Sequence, residues 1–163
     1  MKKSITLNLS MSEIIYDIQN KTYLTGRSVA GADNHSHVAN MQANDDDENA
    51  AQILRSITMA AMILRNRLSE FLDAKDLMST NESLSEKDDI SLTLDMPSNF
   101  NPSVTKSLAE VAHEFIVASA VADWFAITAK GETTDYTQVA KNCLSVLEEA
   151  ICKRSRPSRP SKD

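Results

Sequence analysis

The sequence predicts a mainly α fold: a four-helix-type bundle with a short two-stranded β-ribbon and a disordered basic C-terminal arm. Three observations predict it. Apolar residues recur at alternating steps of four and three over long stretches, the spacing of a helix with one buried face. Only three glycines and four prolines occur in 163 residues, too few turn-formers for a many-stranded sandwich or barrel. That punctuation also falls between periodic stretches: Gly26, Gly31 and Gly131 at their ends, and Pro97, Pro102, Pro157 and Pro160 outside them. The length and the 42% hydrophobic, 25% charged composition fit one globular domain, placed at 1–152, followed by a tail at 153–163.

Ile5, Leu7 and Leu9 alternate with polar residues and predict a strand over 5–9. Ser10 followed by Glu13 matches a capping box, and Ile14, Ile15 and Ile18 give a helix over 11–25, with Gly26 as its left-handed stop. Residues 27–44 are polar, with a short helix expected around Val38 to Ala43. The acidic run Asp45 to Glu48 suits the positive end of a helix dipole and opens a helix over 46–72. Its seam is Ala50, Leu54, Ile57, Ala61, Leu64, Leu68 and Phe71, thickened by Met59 and Met62. Residues 73–89, rich in acids, Ser and Asn, read as a mobile loop.

The opening pattern then returns. SITLNLSMS is echoed by DISLTLDMPS, which predicts a second strand over 90–94 able to pair with the first. Two readings of the echo stand open: a strand–helix–helix repeat, or a cheap strand pattern that arose twice. Asn101 and Pro102 supply a cap and a first-turn proline for a helix over 102–130, with a seam of Val104, Leu108, Val111, Phe115, Ala118, Ala122 and Phe125. A last helix over 134–153 carries Tyr136, Ala140, Cys143, Leu147 and Ala150.

Several classes are excluded early. The most apolar runs, Thr58 to Leu64 and Phe115 to Ala122, are shorter than the ~18 residues of a membrane span, and the start lacks the apolar core of a signal peptide. Synthesis in the cytoplasm is expected. Cys143 and Cys152, nine apart on one helix, face opposite ways and are not expected to pair; they read as small apolar residues. The net charge of −6 is uneven: the segment KRSRPSRPSKD carries +4, which leaves −10 on the body. The body therefore repels nucleic acid, while the tail attracts acidic surfaces or phosphates.

Chemistry is sparse. Glu110 and His113 form one E-x-x-H pair, the spacing of di-iron bundles, but no second pair exists and a boundary histidine is the better reading. His35 and His37 match no zinc spacing and read as loop residues. There is no G-x-S-x-G and no glycine-rich phosphate loop, so no catalytic residue, cofactor or metal is assigned and the protein is expected not to be an enzyme. Trp124 reads as core or as a subunit contact near a helix end. The tail, proline-containing and free of apolar residues, reads as a solvated end or a docking arm.

Taken together, the IxLxL strand, YDIQNKTYLTGRS, DDDENAAQILRS, LTLDMPSNFN, ADWFAIT and the KRSRP tail resemble small structural proteins from the virion-morphogenesis region of tailed bacteriophages and prophages. Helical head–tail connector or neck proteins are the most similar in build. The resemblance implies a virion component made in the host cytoplasm, present in many copies in a ring between portal and tail, and touching itself, other virion proteins and packaged DNA. It transfers no catalytic residue. Expected partner-binding residues are Arg154, Arg156 and Arg159, docking on acidic loops such as 45–48 or 82–89 of a neighbour or lining a DNA path, together with Ile5, Leu7, Ile90, Leu92 and Trp124. The competing readings are a cytoplasmic helical adaptor or assembly chaperone, and a small enzyme or metal-binding bundle.

Overall fold

The computed structural model describes residues 1–73 and 87–158. Within them the chain is mainly helical, with five α-helices and one two-stranded sheet. Strand β1 (Lys3–Leu9) and strand β2 (Ile90–Met96) pair antiparallel, with Thr6 opposite Thr93, Leu7 opposite Leu92 and Ile5 opposite Leu94. Both run longer than the 5–9 and 90–94 expected. Alternation turns Leu7, Leu9, Ile90, Leu92, Leu94 and Met96 inward and Ser4, Thr6, Asn8 and Ser91 outward, so one sheet face is apolar and the other wet.

Helix α1 (Met11–Ser28) buries Met11, Ile14, Ile18, Thr22 and Gly26. Two local expectations fail here. The capping box does not form: the Ser10 side chain makes no cap bond and its hydroxyl lies 3.0 Å from that of Ser12; the first helical amide, that of Met11, donates to Asp89 Oδ1 at 2.9 Å. Gly26 is also not a stop but an interior residue. A Cβ there would sit at ordinary contact distance, 3.4 Å from the Val38 carbonyl oxygen and 3.6 Å from Met41 Cβ, so Gly26 marks where helix α2 (His35–Met41) packs on α1. Buried Thr22 donates to the Gln19 carbonyl and accepts from the Ala43 amide at 3.1 Å, which pins the chain just beyond α2.

Helix α3 (Asp47–Arg67) keeps Asp47 and Glu48 in its first turn, where they face the helix dipole, and buries Ile53, Ile57, Ala60, Ala61 and Leu64. Met59, expected in the seam, is exposed. The helix ends before residue 72 because Phe71, Leu72 and Asp73 are drawn onto the outer edge of β2. The Asp73 amide donates to the Thr93 carbonyl at 3.0 Å and the Asp95 amide to the Phe71 carbonyl at 2.6 Å. Most of the expected 73–89 loop, residues 74–86, lies outside the described residues.

Asn101 caps as expected, its side chain accepting from the Ser103 amide at 3.1 Å ahead of the 3-10 turn Pro102–Val104. Helix α4 (Thr105–Thr128) follows and is the centre of the molecule. The narrow seam expected of it is an underestimate: Leu108, Ala112, Phe115, Ile116, Val117, Ala118, Ala120, Val121 and Phe125 are buried around much of its circumference, because α1, α3, β1 and helix α5 (Thr133–Ile151) all pack against it. By length and composition alone Pro102–Thr128 is apolar enough to cross a membrane, but most of that surface is taken up inside the fold. The 3-10 turn Lys130–Glu132 reverses the chain, and α5 returns along α4 with Phe125 and Tyr136 rings 5.6 Å apart. Cys143 is half-buried and Cys152 exposed, so the latter is not the apolar filler expected; both are free thiols.

Candidate functional site

A hollow of about 520 Å³ lies where β1 ends and α1 begins. Asn8, Leu9 and Ser10 form one side, Glu13 and Asp17 of α1 a second, Ala109, Glu110, Val111, His113 and Glu114 of α4 the floor, and Cys143 of α5 the far wall. Four carboxylates therefore converge on it. Two are engaged: Asp17 Oδ2 lies 2.7 Å from His113 Nε2, and Glu114 accepts from Lys21. Glu13 and Glu110 are exposed and acidic at the mouth.

The chemistry of this constellation is electrostatic. The E-x-x-H pair reaches the hollow, but His113 turns to Asp17, and among the described residues no three His, Cys, Asp or Glu side chains converge as a metal would need. Burial, with the nearby Glu114 charge, pushes the Cys143 thiol up, and Lys21 offsets only part of this. A raised thiol is protonated at neutral pH and is a poor nucleophile. What remains is a negative recess beside a strand.

Among the described residues that strand has one open side. Because the Thr93 carbonyl and Asp95 amide point away from β1, the pairs facing inward are Lys3–Met96, Ile5–Leu94, Leu7–Leu92 and Leu9–Ile90. The amides and carbonyls of Ser4, Thr6 and Asn8 therefore point outward, and among the described residues no backbone group meets them. The outer edge of β2, by contrast, is closed by residues 71–73.

The expected partner-binding residues separate into three groups. Leu7, Ile90 and Leu92 point their side chains into the core and Ile5 is half-buried, so only the β1 backbone, not these side chains, offers a surface. Trp124 is 7% exposed and its indole N–H donates to the Met41 carbonyl at 2.8 Å, which places it in the core as a tie between α4 and α2 rather than at a surface. Arg154 is held locally, donating to the Ile151 carbonyl at 3.0 Å, and the stretch expected to be free from 153 onward is tied to the body through Ser155. The Asn101 amide donates to the Lys153 carbonyl at 3.2 Å, the Ser155 amide donates to the Asn99 carbonyl at 2.8 Å, and Arg154 bridges Phe100. Arg156 is exposed; Arg159 lies outside the described residues, as do loop residues 82–86. Asp46, Asp47 and Glu48 are exposed at the start of α3, while Asp45 accepts from Gln19.

Asp17, Lys21 and Glu114 were not singled out from sequence. Asp17 and Lys21 lie one turn apart beside the α1 seam, a faint signal, but their partners are more than ninety residues away. Comparison with models of known protein families, with curated proteins and with solved structures finds no match to this chain.

Proposed function

We propose that this protein is a non-enzymatic structural component of a phage particle, a head–tail connector or neck ring subunit whose four long helices act as a four-helix-type bundle displaying assembly surfaces. The observation that carries the reading is the basic segment beyond Ser155. It starts from a root fixed by two backbone hydrogen bonds, is exposed at Arg156 to Ser158, and is opposite in charge to the body. A ring needs a heterologous contact, one surface meeting a different surface on the next copy, and an arm that orders on an acidic neighbour is such a device. The exposed acids of 46–48 are one suitable receptor. The resemblance of YDIQNKTYLTGRS, LTLDMPSNFN and ADWFAIT to phage morphogenesis proteins points the same way.

The test is a chain ended after Ser155, which keeps both root bonds. Complementation of a phage lacking the subunit, followed by imaging of particles, should show heads without joined tails. Normal particles from the shortened chain would overturn the reading.

A further inference from the structure

We propose that β1 pairs with β1 of a second copy, antiparallel and centred on Thr6, to make one four-stranded sheet across two molecules. The inference goes beyond the virion reading and does not use the basic arm.

The backbone sets the register. The three outward-facing residues, Ser4, Thr6 and Asn8, are spaced symmetrically about Thr6, so a two-fold related strand places Thr6 against Thr6 and Ser4 against Asn8 with every outward amide facing a carbonyl. Isologous pairing of this kind satisfies both copies at once. A two-stranded ribbon gains most from such an extension, since short sheets are weak until more strands join.

The side chains allow it. Natural edge strands are usually blunted by a charge, a proline or a bulge. From Ser4 to Leu9 the strand carries none of these, and its wet face holds only Ser4, Thr6 and Asn8. The pattern is the opposite of the β2 edge, which the chain covers with its own residues 71–73.

Charge favours this occupant over others. The strand is polar along its length: exposed Lys2 precedes it, with a weak contact of 3.7 Å to Asp95, and the acidic hollow with Glu13 and Glu110 follows it. In the Thr6-centred register Lys2 of one copy lies level with Ser10 of the other, on the wall of that hollow. Each basic end thus meets an acidic end, twice per pair. A parallel pairing would set like against like.

Thr6→Pro is the direct test. Among the described residues no backbone group pairs with the Thr6 amide in the single copy, so proline fits the strand as it does on natural edges, but it removes a central donor of the pair. Sedimentation of the full chain over a concentration series should show a monomer–dimer equilibrium, and hydrogen exchange at Ser4, Thr6 and Asn8 should slow as concentration rises. The Thr6→Pro chain, with an unchanged helical circular dichroism spectrum, should dimerise at least ~10-fold more weakly. Should proline disturb the fold, the charge exchange decides: Glu13→Lys with Glu110→Lys weakens the dimer and added Lys2→Glu restores it. A wild-type chain that stays monomeric, dimerisation with unprotected amides at these three positions, or a dimer indifferent to both sets of variants would overturn the proposal. Removing residues after Ser155 should leave this dimer intact, which separates it from the arm-mediated assembly above.

Discussion

Strands β1 and β2 are near-copies in sequence, SITLNL against SLTLDM, and they pair about Thr6 and Thr93 so that each residue faces its echo's mirror position. The helices that follow do not share that likeness. In the first half α1 and α3 both lean on α4 more than on each other, and α2 packs on α1 and α4; in the second half α4 and α5 form the most extensive helix pair. Position, not pattern, makes the difference. The helix after β2 is surrounded and is apolar on most sides, whereas the helix after β1 lies at the surface and needs only one apolar face.

The largest test of this contrast is Phe125→Ala. Phe125 is fully buried between α4 and α5, and its truncation should cost about 3–5 kcal/mol in urea unfolding. Ile18→Val, which deletes one methyl group from a fully buried site in α1, should cost about 0.5–1.5 kcal/mol, and a larger loss would mean that the first half cannot settle around the gap. Next comes Trp124→Phe, which keeps most of the apolar volume but removes the donor to the Met41 carbonyl that ties α4 to α2. A loss of about 1–3 kcal/mol is expected, and negligible change would show that the tie is dispensable.

Smaller effects probe the first half and the seam between halves. Gly26→Ala places a methyl at contact distance from Val38 and Met41 without a forced backbone, so the better helix propensity should stabilise by about 0.5–1 kcal/mol; a loss would mean that α2 cannot yield by a few tenths of an ångström. Asp123 bonds to Ser56 across α3 and α4, and partial burial raises its carboxyl above the usual range. A raised acid favours the folded state when protonated, and that benefit is lost as pH rises through its folded value. Asp123→Asn should therefore give a slight gain in melting temperature at neutral pH and none under acid conditions, where the carboxyl is already neutral. A gain that persists unchanged in acid would assign the effect to packing.

The strands and the seams of α3 and α5 were legible because a period of two or of alternating four and three is a local property. The errors share one cause, which is distance in sequence. Ser10 and Glu13 fit a capping box, yet the helix start is met by Asp89, 78 positions away, which accepts from the Met11 amide. Gly26 carries the ordinary signal of a helix end, but its role is set by α2, which a window around it does not include. Trp124 stood between core and surface until the Met41 carbonyl chose for it. The hollow was the least legible feature: Glu110 and His113 were visible as a pair, whereas Asp17, Lys21 and Glu114 join them only because α1 runs beside α4. The open side of β1 was half legible. Pairing of the two strands could be read from their echo, but only the course of residues 71–73 shows which edge is left over.

The burial of α4 has a consequence during synthesis. The side of it that α5 covers leaves the ribosome before α5 exists, so the nascent chain carries a rod about 36 Å long with that side bare until the nineteen residues of α5 emerge. Any gene fragment stopping near Gly131 would encode that rod without its lid. Such a product should precipitate or be held by chaperones, even though it encodes α1 to α4 in full.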